Sequence, residues 1–82
     1  MPKAVVLMNT EVGAEEEVAE ELLKIPEVKE VHLVYGIYDL VVVVEAPTHD
    51  ELRSVIVNRV RKVPKVRSTT TMIIIESRVA PK

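Results

Sequence analysis

Few side chains in this 82-residue chain could carry chemistry, and they fall in two short stretches. The first is Gly36-Ile37-Tyr38-Asp39, where a carboxylate and a phenol follow a glycine at the edge of a long apolar run. Gly36 can take a positive φ or let another backbone approach closely. Asp39 is an acceptor, and Tyr38 can donate or accept. The second stretch is Thr69-Thr70-Thr71, where residues two apart put the Thr69 and Thr71 hydroxyls on one side of a strand. Each stretch also has an ordinary reading, since hairpins need turn residues and strands favour threonine. The two histidines add no catalytic set. His32 can share a strand face with Glu30, a pair that would hold a metal only weakly. His49 falls in a helix cap, where solvation is the simplest reading. Cysteine is absent, which removes thiolate nucleophiles, thiolate metal sites and disulfides. There is no glycine-rich phosphate loop, and neither a metal nor a cofactor is expected.

The elements that must position these residues follow from periodicity. Lys3 to Thr10 contains the continuous apolar run Ala4 to Met8 and predicts a buried strand. Gly13 breaks it. Ala14 to Lys24 then places Val18, Leu22 and Ile25 at helical spacing, with Glu15, Glu16 and Glu17 in the first turn, where the helix dipole favours anions. Pro26 ends that helix. Val28 to Tyr35 predicts a second strand, with Val31, Leu33 and Tyr35 alternating against Glu30 and His32. Tyr38 to Ala46 predicts a third, and the short connection makes the pair a hairpin. Thr48-His49-Asp50-Glu51 has capping-box form, and Leu52, Val55, Ile56, Val60 and Val63 recur at helical spacing up to Pro64. Val66 to Ser77 predicts the last strand, and Arg78 to Lys82 a loose tail. The order β-α-β-β-α-β predicts an α+β, ferredoxin-like sandwich with a four-stranded antiparallel sheet and two helices on one face.

That sheet is apolar on both faces. In the third strand Leu40, Val42 and Val44 oppose Val41 and Val43. In the last, Ile73 and Ile75 oppose Met72 and Ile74, and in the first Val5 and Leu7 oppose Ala4, Val6 and Met8. Two helices cover one face only, so the other is expected to meet a second copy. A chain this short gains stability from association, and each fully buried valine or isoleucine contributes roughly 1.5–3 kcal/mol. Net charge is −2, which makes no electrostatic case for nucleic acid or an anionic membrane as the main partner. The acidic first helix and the second helix with Arg53, Arg59, Arg61 and Lys62 read as two solvated faces. No apolar run reaches membrane-spanning length, no secretion signal is evident, and the expected location is the cytoplasm. Abundant Glu, Lys and Arg without cysteine or glutamine fit a thermophile.

Gly36-x-Tyr38-Asp39-Leu40-Val41, then Val44-Glu45-Ala46, Glu51-Leu52 and Val66-x-x-Thr69-x-Thr71-x-x-Ile74 resemble the effector-binding domain of the leucine-responsive/asparagine-synthetase (Lrp/AsnC) regulators. This is the domain also termed RAM, for regulation of amino acid metabolism. The likeness runs over nearly the whole chain in the same element order. It implies dimers formed through their sheets, assembled into octameric or decameric rings. It also implies an effector, usually an amino acid, held between dimers by the hairpin loop and the start of the last strand. On this chain those positions are Gly36, Tyr38, Asp39, Thr69 and Thr71. Asp39 would accept from the effector's ammonium, while hairpin amides and the threonine hydroxyls would donate to its carboxylate. The family's regulators carry an N-terminal helix-turn-helix that residues 1–82 lack. The expectation is therefore a single stand-alone effector domain without direct DNA binding, whose candidate partner is a full-length Lrp/AsnC regulator. Two other readings remain open: a structural oligomerisation subunit without an effector, and a small dimeric ferredoxin-like barrel enzyme using His32 as its acid–base group.

Overall fold

Burial alternates residue by residue along β1 (Lys3–Thr10), with Ala4, Val6, Met8 and Thr10 inside. That strand is central, and it sets the rest of the sheet. The computed structural model describes residues 1–81, so Lys82, the last residue of the expected tail, lies outside the described residues. The other elements are α1 (Glu15–Leu23), β2 (Val28–Leu33), β3 (Leu40–Glu45), α2 (His49–Val55) with a π-helical turn continuing it through Ile56–Val60, and β4 (Val66–Ile73). The strand order is β2-β3-β1-β4, antiparallel throughout. This is the predicted ferredoxin-like sandwich.

The register turns the two faces into rows. On the helix side, Val31–Val42–Val6–Thr71 and Leu33–Leu40–Met8–Thr69 run across the sheet. The central members of these rows form one core with Val18 and Leu22 of α1 and with Leu52, Val55, Ile56 and Val60 of the second helix. On the other side the rows are Glu30–Val43–Val5–Met72 and His32–Val41–Leu7–Thr70. Among the described residues no helix covers this second face. Its centre is aliphatic and half-buried by neighbouring side chains, and its β2 margin is polar. A bulge at Lys29 puts one extra residue in β2, so Val28 and Val31 both face the helices although they are three apart.

The termini of the elements explain the differences from expectation. Gly13 takes φ 82 in the turn before α1, a conformation that favours glycine. The Thr48 hydroxyl accepts from the Glu51 amide at 3.1 Å and caps α2. Among the described residues this is the only capping-box bond made. The expected second helix is not uniformly α-helical, because its C-terminal half widens into the π turn. β2 stops at Leu33 rather than Tyr35, and β3 begins at Leu40 rather than Tyr38, since the chain leaves the ladder to turn. β4 ends at Ile73 rather than Ser77. The last bond to β1 is Ile74 N–H to the Lys3 carbonyl, and beyond it β1 offers no further partner.

Leu52 is fully buried, so Leu52→Ala is expected to cost about 2–5 kcal/mol in urea unfolding. Thr48→Ala, which removes one cap, is expected to cost about 1 kcal/mol in the same measurement.

Candidate functional site

The hairpin of β2 and β3 is anchored to the end of β1 by Asp39. Its amide donates to the Met8 carbonyl at 3.0 Å, and its Oδ2 accepts from the buried Thr10 amide at 2.9 Å. The carboxylate therefore closes the ladder where Thr10 has no strand partner on that side. Its other oxygen makes no hydrogen bond among the described residues. Asp39 stands between two depressions. One, of about 580 Å³, includes Gly13, Glu15, Leu33 and Tyr35; the other, of about 460 Å³, includes Asn9, Thr10, Arg67 and Ser68.

Tyr38 leaves the hairpin toward the uncovered sheet face. Its hydroxyl lies 3.2 Å from Thr70 Oγ1, across the sheet from β3. Gly36 sits at the exposed tip with φ 158, and a Cβ there would meet nothing within 4 Å. Crowding therefore does not require glycine at this position. Around it the tip is apolar and open, with Tyr35 and Ile37 almost fully exposed. Lys65 takes φ 75 at the turn into β4. Its ammonium is 3.0 Å from Glu17 Oε1, and that hydrogen bond, then the carboxylate's charge, raises its pKa above the ordinary value. Both partners are exposed, so the pair adds little to stability. On the lysine's side that contribution is present at neutral pH and is lost as strong alkali removes its proton.

Thr69 and Thr71 share the helix side of β4, as their spacing requires. Thr69 is partly buried opposite Met8. Thr71 is exposed and lines a groove of about 300 Å³ between β4 and the second helix. Within one copy, then, Tyr38 and Asp39 are neighbours at the hairpin end that bond different partners, Thr70 and Thr10, while Thr69 and Thr71 lie on the helix side of β4, with β1 between. Among the described residues, the depressions at Asp39 and the groove at Thr71 are separate. Sequence reasoning missed Thr10 and Thr70, the partners of Asp39 and Tyr38, because each pair is about thirty residues apart in the chain. His32 pairs with Glu30 at 2.8 Å on the uncovered face, with both side chains more than half exposed. Among the described residues, no three His, Cys, Asp or Glu side chains are grouped to hold a metal ion. No described helix is long and apolar enough to cross a membrane.

A four-stranded antiparallel sheet with two helices on one face defines the ferredoxin-like class of α+β domain. Residues 3–81 match the family model described as the Lrp/AsnC ligand binding domain, and the chain belongs to that family. It is 34% identical over 74 residues to the HTH-type transcriptional regulator FL11 of Pyrococcus horikoshii, covering 90% of this chain and 48% of that protein. It is 40% identical over 57 residues to an uncharacterized HTH-type transcriptional regulator, PH1916, of the same organism, covering 70% of this chain and 38% of that protein. The chain thus spans less than half the length of these curated relatives. Among solved structures, the hypothetical protein PHS023 from Pyrococcus horikoshii superposes with a TM-score of 0.86 at 48% identity, covering 94% of this chain and 93% of that one. The thermophile-like composition agrees with relatives from Pyrococcus.

Asp39→Ala would leave the Thr10 amide buried and unpaired, at an expected cost of about 1–3 kcal/mol. Asp39→Asn keeps an acceptor oxygen for that amide and should retain most of the stability. Denaturant unfolding, with hydrogen exchange at Thr10, distinguishes the two.

Proposed function

We propose that this chain is an effector-sensing module that binds a small amino acid where copies meet and so couples effector level to assembly. The observation that carries this reading is the division of the candidate residues. Tyr38 and Asp39 are presented at the hairpin end, and Thr69 and Thr71 on the helix side of β4 beyond β1, so that neither set makes a complete site in one copy. A second copy bringing its threonines to this hairpin would supply donors for the effector's carboxylate opposite a carboxylate for its ammonium. Family membership supports ligand binding as the role.

In this reading assembly has two stages. The aliphatic strip of Val5, Leu7, Val41 and Val43, flanked by half-exposed Met72, pairs with the same strip of another copy to give a dimer. Dimers then join as octamers or decamers, and an effector at the joint stabilises them by mass action. A ligand at about one hundred times its Kd contributes about 2.7 kcal/mol. The module acts without catalysis, in the cytoplasm. Its output is co-assembly with a full-length Lrp/AsnC regulator.

Val41→Asp places a charge in the centre of the strip. It is expected to yield folded monomers by circular dichroism and light scattering, and an unchanged mass would remove the sheet face from the assembly. A thermal-shift screen of the standard amino acids, with mass measured in parallel, is expected to find at least one that raises both Tm and mass. Asp39→Asn should abolish that response while preserving the fold. Assemblies indifferent to every amino acid would favour a purely structural subunit.

A further inference from the structure

The end of β1 brings one side chain of each charge into the same depression. The ladder between β1 and β4 is in step as far as Asn9 and Ser68, but Thr10 then pairs with Val66, so Arg67 is an extra residue in β4. A bulge of this kind bends its strand and re-aims a side chain, and bulges recur beside functional sites. On the β3 side of Thr10, the Asp39 carboxylate is fixed by the Thr10 amide through Oδ2. Arg67 and Asp39 consequently line one depression of about 460 Å³ together with Asn9, Thr10 and Ser68. The sequence alone does not mark Arg67, because the bulge depends on the register with β1.

Two features suit this depression to a ligand that carries both charges. Arg67 and Asp39 form no ion pair among the described residues, so opposite charges line one hollow without closing on each other. The neutral groups divide in the same way. Asn9 Nδ2 donates to Ser68 Oγ at 3.3 Å, which leaves the Ser68 O–H free to donate and the Asn9 side-chain oxygen free to accept. The head of an α-amino acid has a carboxylate that needs donors and an ammonium that needs acceptors. A planar guanidinium matches a carboxylate by paired, charge-assisted bonds. The lining is polar throughout, so it suits the head, and the effector's side chain would leave the depression.

We propose that Arg67 positions the effector's carboxylate, with the Ser68 hydroxyl beside it, while Asp39 Oδ1 and the Asn9 side-chain oxygen hold the ammonium. The proposal rests on the effector reading and deepens it. The carboxylate is held by a charge on the same copy as Asp39, and the threonine hydroxyls of a second copy add to that hold.

The test repeats the screen of the standard amino acids, with NMR titration, on the parent and on Arg67→Gln. Arg67 is exposed and outside every ion pair among the described residues, so the variant should fold as the parent does. Each amino acid that binds the parent is compared with its C-terminal amide, which keeps the ammonium and lacks the carboxylate. In the parent the amide is expected to bind about tenfold more weakly. In Arg67→Gln the amino acid should fall to the level of the amide, so that the two bind alike. A purely structural role for Arg67 would weaken both ligands together and keep the preference. Arg59→Gln, which lines a different depression, should retain the parent's preference. An amino acid that binds Arg67→Gln as tightly as the parent, or is still preferred tenfold over its amide there, would overturn the role of Arg67 and leave the effector reading standing. A parent that binds no amino acid would overturn both.

Discussion

A sheet has two faces, and the described helices cover one. Every other feature of the molecule depends on that constraint. The helix side of β1 and β3 is closed by α1 and α2 into a core of Val6, Met8, Leu40 and Val42 with Leu22 and Leu52, all fully buried. The remaining face keeps Val5, Leu7, Val41 and Val43 in its centre, with Glu30 and His32 along the β2 margin. An aliphatic strip bordered by polar side chains fits a self-complementary contact better than solvent. The scarcity of aromatic residues fits the same geometry, because flat rows of valine can meet similar rows without large side chains interlocking.

The hairpin shows how one carboxylate can fix the fold and leave an oxygen open to the proposed site. Asp39 Oδ2 completes the hydrogen bonding of Thr10, and this holds the hairpin against the end of β1. The second oxygen stays available at the junction of two depressions. Position is therefore set by a bond that a ligand need not disturb. The exposed Tyr35 and Ile37 at the tip, and Thr71 at the far edge, are the surfaces that a neighbouring copy could engage.

The second helix shows how a backbone irregularity decides what a run of charges does. Arg53, Arg59 and Arg61 read as one solvated basic face in the sequence. The wide turn separates them, directing Arg61 to the β4 side with Arg53, while Arg59 lines a different depression with Glu27 and Glu51. The helix thereby acquires one cationic, apolar-floored flank without any change in composition.

The order of elements, the helix cap at Thr48, the hairpin and the ferredoxin-like arrangement were all legible in the sequence. They rest on local signals: hydrophobic period, proline and glycine punctuation, and residues within four positions of one another. The surplus of apolar residues on the second sheet face was legible for the same reason, since strand alternation assigns faces without knowledge of partners. So was the pairing of Thr69 with Thr71. The tertiary structure alone decided what depends on distant segments. It set the strand ends where pairing partners ran out, and it introduced the Lys29 bulge that keeps Val28 and Val31 on one side. It joined Asp39 to Thr10 and Tyr38 to Thr70, and it set the hairpin pair apart from Thr69 and Thr71, with β1 between. It also produced the π turn, whose aim toward β4 has no local signature. Local periodicity reports which face a residue prefers. Only the closed register of four strands and two helices determines which residue it meets there.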